Sequence, residues 1–178
     1  IIHAKGESSM KTTDKRPIYQ HAAAYAREHG ELDQYRASHQ ANIACKNDIE
    51  AAISNSFDGM HLKADAARSV LEQYGTARVE QVLVATVQTK SWDGRFSLSN
   101  KHWADCVPMP ETFDGFGYDR RHEYAVTSHP AVLDGFIRLA RQEIAERDQS
   151  SVKDALRQPV ADKSEQHRQP CKNNAMER

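Results

Sequence analysis

The segment from Ala77 to Lys90, ARVEQVLVATVQTK, limits the fold more than any other part of the chain. Its β-branched residues suit a strand as well as a helix. At helical period, however, Val79, Val82, Leu83, Thr86 and Val87 share one face, and Val84 with Ala85 leaves little of the remainder polar. A helix apolar on most of its sides is a buried helix. The segment is therefore predicted as the central helix, which the rest of the chain has to cover.

The flanking segments have helical faces that can do so. PIYQHAAAYAREHG opens on Pro17, tolerated in a first helical turn, and closes on Gly30, a natural residue just past a helix end. Its alanines favour helix. Glu31 to about Phe57 is the longest helix candidate, broken by the turn signal Asp58-Gly59. HLKADAARSVLEQYG sets Leu62, Ala66, Val70 and Tyr74 on one face and Lys63, Asp65, Arg68 and Glu72 toward water. Gly75 ends that helix, and Thr76 is placed to cap the central one.

Downstream, SWDGRFSLSNKHWADCV carries the Asp93-Gly94 turn and a short helix, NKHWADCV, capped by Ser97 or Ser99 and stopped by Pro108 and Pro110. PMPETFDGFGYDRRHEYAVTS reads as irregular, with at most one short strand near EYAV. Ser128 stands at the cap of a last helix that turns Val132, Leu133, Phe136, Ile137, Ala140 and Ile144 inward. No repeat interrupts this pattern. The expected fold is all-α: one compact helical domain of about five to six helices, over residues 17–147, with an irregular Pro/Gly-rich segment.

Apolar residues make up 39% of the chain, somewhat low for a globular protein, and part of the shortfall sits at the ends. Residues 1–16 read as a non-native leader or a disordered N-terminus. IIHAKGESS precedes Met10, a candidate start, and has no apolar core of a signal peptide. In residues 148–178 only Val152, Leu156, Val160 and Met176 are sizeable and apolar, too few to offset ordering entropy. That stretch reads as a disordered tail or linker, with SSVKDAL able to continue the helix.

Several function classes are disfavoured. No stretch approaches the ~18 apolar residues of a membrane span. The formal net charge is −1, with both signs interleaved and no basic stripe, which argues against nucleic acid as a partner. Cys45, Cys106 and Cys171 are odd in number and far apart, as in a reducing cytoplasm and unlike a disulfide framework or zinc ribbon. His21, Tyr25 and His29 share a helical face, yet the histidines would stand ~12 Å apart, too far for one ion. There is no H-E-x-x-H, phosphate loop or nucleophile elbow. No metal, cofactor or catalytic residue is expected.

The long helix poses a sharper question. Glu31, Tyr35, Ser38, Asn42, Cys45, Ile49 and Ile53 fall in one stripe, whose first half is polar where apolar residues belong. Buried polar groups need partners. The loop around Asp93 and Arg95 is the candidate: Arg95 to pair with Glu31, and Asn42 to take loop backbone groups. Cys45 reads as a small hydrophobe rather than a nucleophile, with His39 off the stripe. Phe96 and Trp103 are expected to plug the side of the domain, and Trp92 to be half exposed. The set Glu31, Ser38, Asn42, Cys45, Asp93, Arg95 and Trp103 is either a structural network or the lining of a small-molecule pocket. Fastening of loop to helix is the favoured reading.

Four blocks, GELDQYRASHQANIACKNDIEAAI, YGTARVEQVLVATVQ, WDGRFSLSNKHWA and SHPAVLDGFIRLAR, together resemble an uncharacterised bacterial family, domain of unknown function 3849. The likeness runs from about Pro17 to Arg141. It implies a setting in conjugative and other mobile-element proteins of gut Firmicutes, and no chemistry. The expectation is a cytoplasmic, non-catalytic helical module of a mobile-element protein that acts through contact with another protein. The alternative is a small-molecule-binding or enzymatic domain using Glu31, Asn42, Asp93 and Arg95.

Overall fold

The computed structural model describes residues 14, 16–113 and 116–157, and among these it forms seven helices joined by turns. They are α1 (Ala23–Glu28), α2 (Leu32–Ser56), α3 (Arg68–Tyr74), α4 (Thr76–Thr89), α5 (Leu98–Cys106), α6 (Arg121–Tyr124) and α7 (Pro130–Arg157). Extended pairing among the described residues is limited to two isolated bridges, Phe57 with Leu62 and Phe113 with Asp119.

Helix α4 is the centre, as its composition demands. Every residue from Val82 to Val87 is buried, and α2, α3, α5 and α6 all pack against it. The segment that could have been a strand is a helix because apolar neighbours cover it all round. Thr86, the one hydroxyl in that run, donates back to the Val82 carbonyl at 2.7 Å and accepts from the Val126 amide at 2.9 Å. Ile49, Ile53, Val70, Leu71, Phe96, Leu133, Phe136 and Ile137 complete the core.

Gly75 joins α3 to α4 with φ 78° and ψ 163°, a conformation open essentially to glycine alone. It serves both as the last cap of α3 and the first of α4, so Thr76 is the first residue of α4 rather than its cap. Ser97 does cap α5, its hydroxyl accepting from the Asn100 amide.

Three expectations about elements need correction. The first helix starts at Ala23, not Pro17: residues 17–22 form no helix, and two of their backbone amides are bonded to distant side chains. Tyr19 N donates to Ser38 Oγ at 3.0 Å, and Ala22 N to Glu111 Oε2 at 3.1 Å. The third helix starts at Arg68, because Asp58 Oδ1 accepts from the Met60 and His61 amides and holds a turn that Leu62 closes with Phe57. No strand forms at EYAV: Arg121–Tyr124 is a helical turn, and the chain after it is held by Thr86 and by Lys90 Nζ on the Val126 carbonyl at 2.6 Å. Helix α7 runs on to Arg157, so that SSVKDAL does continue the helix, with Val152 and Leu156 exposed. Val160, Cys171 and Met176 lie outside the described residues, as does most of the leader.

Candidate functional site

The polar stripe on α2 is real. Ser38, Asn42, Cys45, Ile49 and Ile53 are buried, and Glu31 and Tyr35 half-buried at its upper end. Its partners are not the ones the spacing suggested. Glu31 accepts from Tyr19 Oη at 2.7 Å, so the residue it meets is on the extended segment rather than Arg95. Asn42 Oδ1 accepts a short bond from Arg78, a residue of α4 whose side chain is only 1% exposed. The same guanidinium donates to the carbonyls of Ser38 at 3.0 Å, Arg16 at 2.8 Å and Pro17 at 3.1 Å. Arg78 thus ties α2, α4 and residues 16–17 together. Burial holds its pKa below the ordinary arginine value, with the Asp14 carboxylate acting in the other direction.

Asp93 and Arg95 belong to a separate, self-contained turn. Asp93 Oδ1 accepts from the Arg95 amide at 2.9 Å, and the two side chains pair through Nη2 and Oδ2 at 2.7 Å. Arg95 chiefly, by its side chain and then its amide, lowers the Asp93 carboxyl to about 2. Cys45 is fully buried, and burial pushes its thiol well above the ordinary cysteine range. Trp103 is half-buried under Arg141, whose guanidinium lies 5.4 Å from the ring centre, while Trp92 is more exposed than expected, at 78%.

The stretch from Ser91 to Val107 is nonetheless stapled, but to α7. Asn100 Nδ2 donates to Asp134 Oδ1 at 2.7 Å, Ser97 N donates to the same oxygen at 2.9 Å, and Arg141 Nη1 donates to Asn100 Oδ1 at 2.7 Å. Sequence reasoning missed Arg78, Asn100 and Asp134. The signal for Arg78 was a cation inside an otherwise apolar helix opposite an unsatisfied polar stripe.

Above Ser38 and Asn42 the stripe opens into a cavity of about 30 Å³, lined by Tyr19, Tyr35, His39, Gln81, Arg120 and Tyr124 together with His21 and residues 110–112. By that measure a single water needs roughly 10–15 Å³, so two or three heavy atoms fit. His39 Nε2 meets Glu123 Oε2, and Arg120 donates to Glu123 Oε1 at 2.7 Å. Burial pushes the Glu123 carboxyl up, but Arg120 and His39 outweigh it and hold the group below its ordinary value. Gln81 Oε1 is buried and accepts from no described residue.

A second concavity of about 640 Å³ lies along α7. Phe57, Met60, Leu62, Val132 and Leu139 give it an apolar lining, and His61, His129 and Arg138 stand among its remaining residues. Met60 is 81% exposed. No cluster of three or more His, Cys, Asp or Glu side chains suited to a metal ion occurs among the described residues, and none of their helices is long and apolar enough to cross a membrane.

Residues 18–145 match the family described as Protein of unknown function (DUF3849), and the chain belongs to that family. The matched span includes the residues that line both concavities. Neither the curated proteins nor the solved structures yield a match to it.

Proposed function

We propose that this chain is a non-catalytic helical accessory module of a bacterial mobile-element protein, working in the cytoplasm through contact with another protein. The observation that carries the contact reading is the groove on α7. A methionine left 81% exposed at the mouth of an apolar groove is the kind of surface a partner covers. From Ala131 to Gln142 the groove follows α7 for about 16 Å, three turns of helix. Its positive or protonatable side chains, His61, His129 and Arg138, select against a basic partner. The occupant these features fit is an amphipathic helix of a partner protein, with an apolar face and flanking carboxylates. The mobile-element setting rests on the sequence resemblance alone.

The test is site-specific photocrosslinking in the native host. A photoreactive residue at Met60 should give one dominant protein adduct, and the same residue at Glu28 on α1 should not. Ala131→Asp, at an exposed position in the groove, should abolish the adduct while leaving the melting temperature unchanged. An adduct pattern indifferent to Ala131→Asp, or turnover of a small molecule by the purified chain, would falsify the proposal.

A further inference from the structure

We infer that the groove on α7 is covered by the far end of α7 from a second copy of this chain, the two helices packing antiparallel about a twofold axis. The inference rests on the groove being a helix-binding surface, and it names the helix. The first observation is a part of α7 that its own domain does not cover. From Asp148 to Arg157 every residue is exposed, Val152 at 59% and Leu156 at 82%. A stretch of helix this short is marginal in water, and helices in proteins are held chiefly by a packed apolar face. A straight helix cannot fold its end back onto its own middle, so the groove and the bare end can meet only between two molecules.

The second observation is register. Ala131, Gly135, Arg138 and Gln142 line the groove and follow one another by steps of four, three and four. The same alternation carried along the helix reaches Ala145, Gln149, Val152 and Leu156, all exposed. Groove and bare end therefore share one stripe, with the spacing that seams two helices together. A stripe holding both a hollow and the side chains to fill it is self-complementary, as a twofold contact requires.

The third is the fit of large to small. An antiparallel approach that sets Leu156 against Ala131 also sets Val152 against Gly135 and Gln149 against Arg138. Each bulky apolar side chain then meets a residue with no more than a methyl. Leu62 borders the hollow, its Cδ1 lying 3.6 Å from where a Cβ on Gly135 would stand. Across the stripe is Leu98, 84% exposed, between Ser97, whose amide bonds to Asp134, and Ser99, whose hydroxyl accepts from Arg141. The same register brings Asp148 of one copy beside Arg138 of the other, opposite in charge.

The fourth is area. A seam from Ala131 to Leu156 is about 37 Å long and roughly 10 Å wide, about 400 Å² on each copy. Stable complexes cover about 800 Å² a side, so this dimer is a reversible one, with a dissociation constant of about tens of micromolar. At a few micromolar the chain is a monomer, and substitutions in the groove leave its melting temperature as it is.

The experiment is sedimentation of the full chain from about one to several hundred micromolar, followed by disulfide trapping. The average mass should rise from that of one chain toward that of two. Leu156→Asp, at a position its own domain leaves bare, should weaken association about tenfold or more without altering the melting temperature of a dilute sample. For trapping, Cys106 and Cys171 are first replaced by serine. Chains carrying Ala131→Cys mixed with chains carrying Leu156→Cys should form a disulfide dimer on mild oxidation, and neither variant should do so alone, because like positions stand about 37 Å apart across the axis. A single mass at every concentration, association indifferent to Leu156→Asp, or trapping of either variant alone would each overturn the inference. The groove reading fails separately: a photoadduct at Met60 with a different protein, from a chain that stays single, would keep the groove and remove the second copy.

Discussion

Replacing Arg78 by leucine tests what holds this fold together at its polar seam. The side chain is 1% exposed and donates to Ser38 O, Asn42 Oδ1, Arg16 O and Pro17 O. In the variant Asn42 Oδ1 becomes a buried orphan, at about 1–3 kcal/mol. Ser38 O keeps its place in the ladder of α2 and loses only the second bond, worth ~1 kcal/mol. The Arg16 and Pro17 carbonyls regain water if residues 16–22 lift away, which exchanges a direct loss for the packing of Tyr19. Relief of the buried guanidinium's desolvation works against these losses, and burial does depress its pKa. The balance is a loss of about 3 kcal/mol, a large share of the ~5–15 kcal/mol that a domain of this kind has. Urea unfolding would read it as a lower midpoint at constant slope. Hydrogen exchange supplies the local readout: the Tyr19 amide, bonded to Ser38 Oγ at 3.0 Å, should exchange faster as the segment detaches. Arg78→Lys should recover less than half of the loss, because one ammonium cannot serve four acceptors spread over α2 and residues 16–17. A loss under ~1 kcal/mol with unchanged Tyr19 protection would show that the network is not what fastens residues 16–22.

Three further outcomes follow from single sites. Gly75→Ala should lose about 1–3 kcal/mol from backbone strain alone, since no atom lies within 4 Å of the added methyl; an unchanged melting temperature would contradict this. Asp93, held at about 2 by Arg95, is depressed from an ordinary value near ~3.9, so in that interval the unfolded chain binds more protons and stability rises with pH. The contribution is complete above about pH 4 and is lost as pH falls through about 2, so Asp93→Asn should flatten that limb of the stability curve, and parallel curves would refute the pairing. Cys106 is exposed and should react with a disulfide reagent in the native protein, whereas Cys45, buried with its thiol pushed up, should react only on unfolding; rapid labelling of Cys45 would contradict its burial.

What the sequence revealed was periodic, and what it concealed was long-range. Helix α4 was legible because Val79 to Val87 leave no face for water, and the α2 stripe because Ser38, Asn42 and Cys45 recur at helical spacing. Its demand for partners was legible too. The identity of the partner was not, because side-chain bonds across 36 residues, as between Asn42 and Arg78, leave no mark in local pattern. Arg78 sits in the first turn of a helix, where an arginine ordinarily reaches solvent, and only the packing of α2 against α4 turns it inward. The same holds for Pro17: its place at a first helical turn was permitted locally, and the bonds made by residues 17–22 to Ser38, Glu111 and Arg78 overrode it. Asp134 was hidden between the inward-facing Leu133 and Phe136 and surfaced only as the acceptor that anchors Ser97 and Asn100.

Asn42 is the residue at which the local reading and the tertiary one predict different numbers. If it fastened the Asp93–Arg95 turn to α2, Asn42→Ala and Arg95→Ala would be coupled. In the structure Arg95 bonds to Asp93 and Asn42 to Arg78, with no shared partner. The Asn42 and Arg95 substitutions should therefore be additive, as independent sites are. Asn42→Ala with Arg78→Leu should not be. Arg78→Leu alone strands Asn42 Oδ1, an orphan that the double change removes, so the pair should lose about 1–3 kcal/mol less than the sum of the two. Both cycles can be run by urea unfolding of the same six proteins. Coupling to Arg95 and additivity with Arg78 would reverse the assignment and return the polar stripe to the loop.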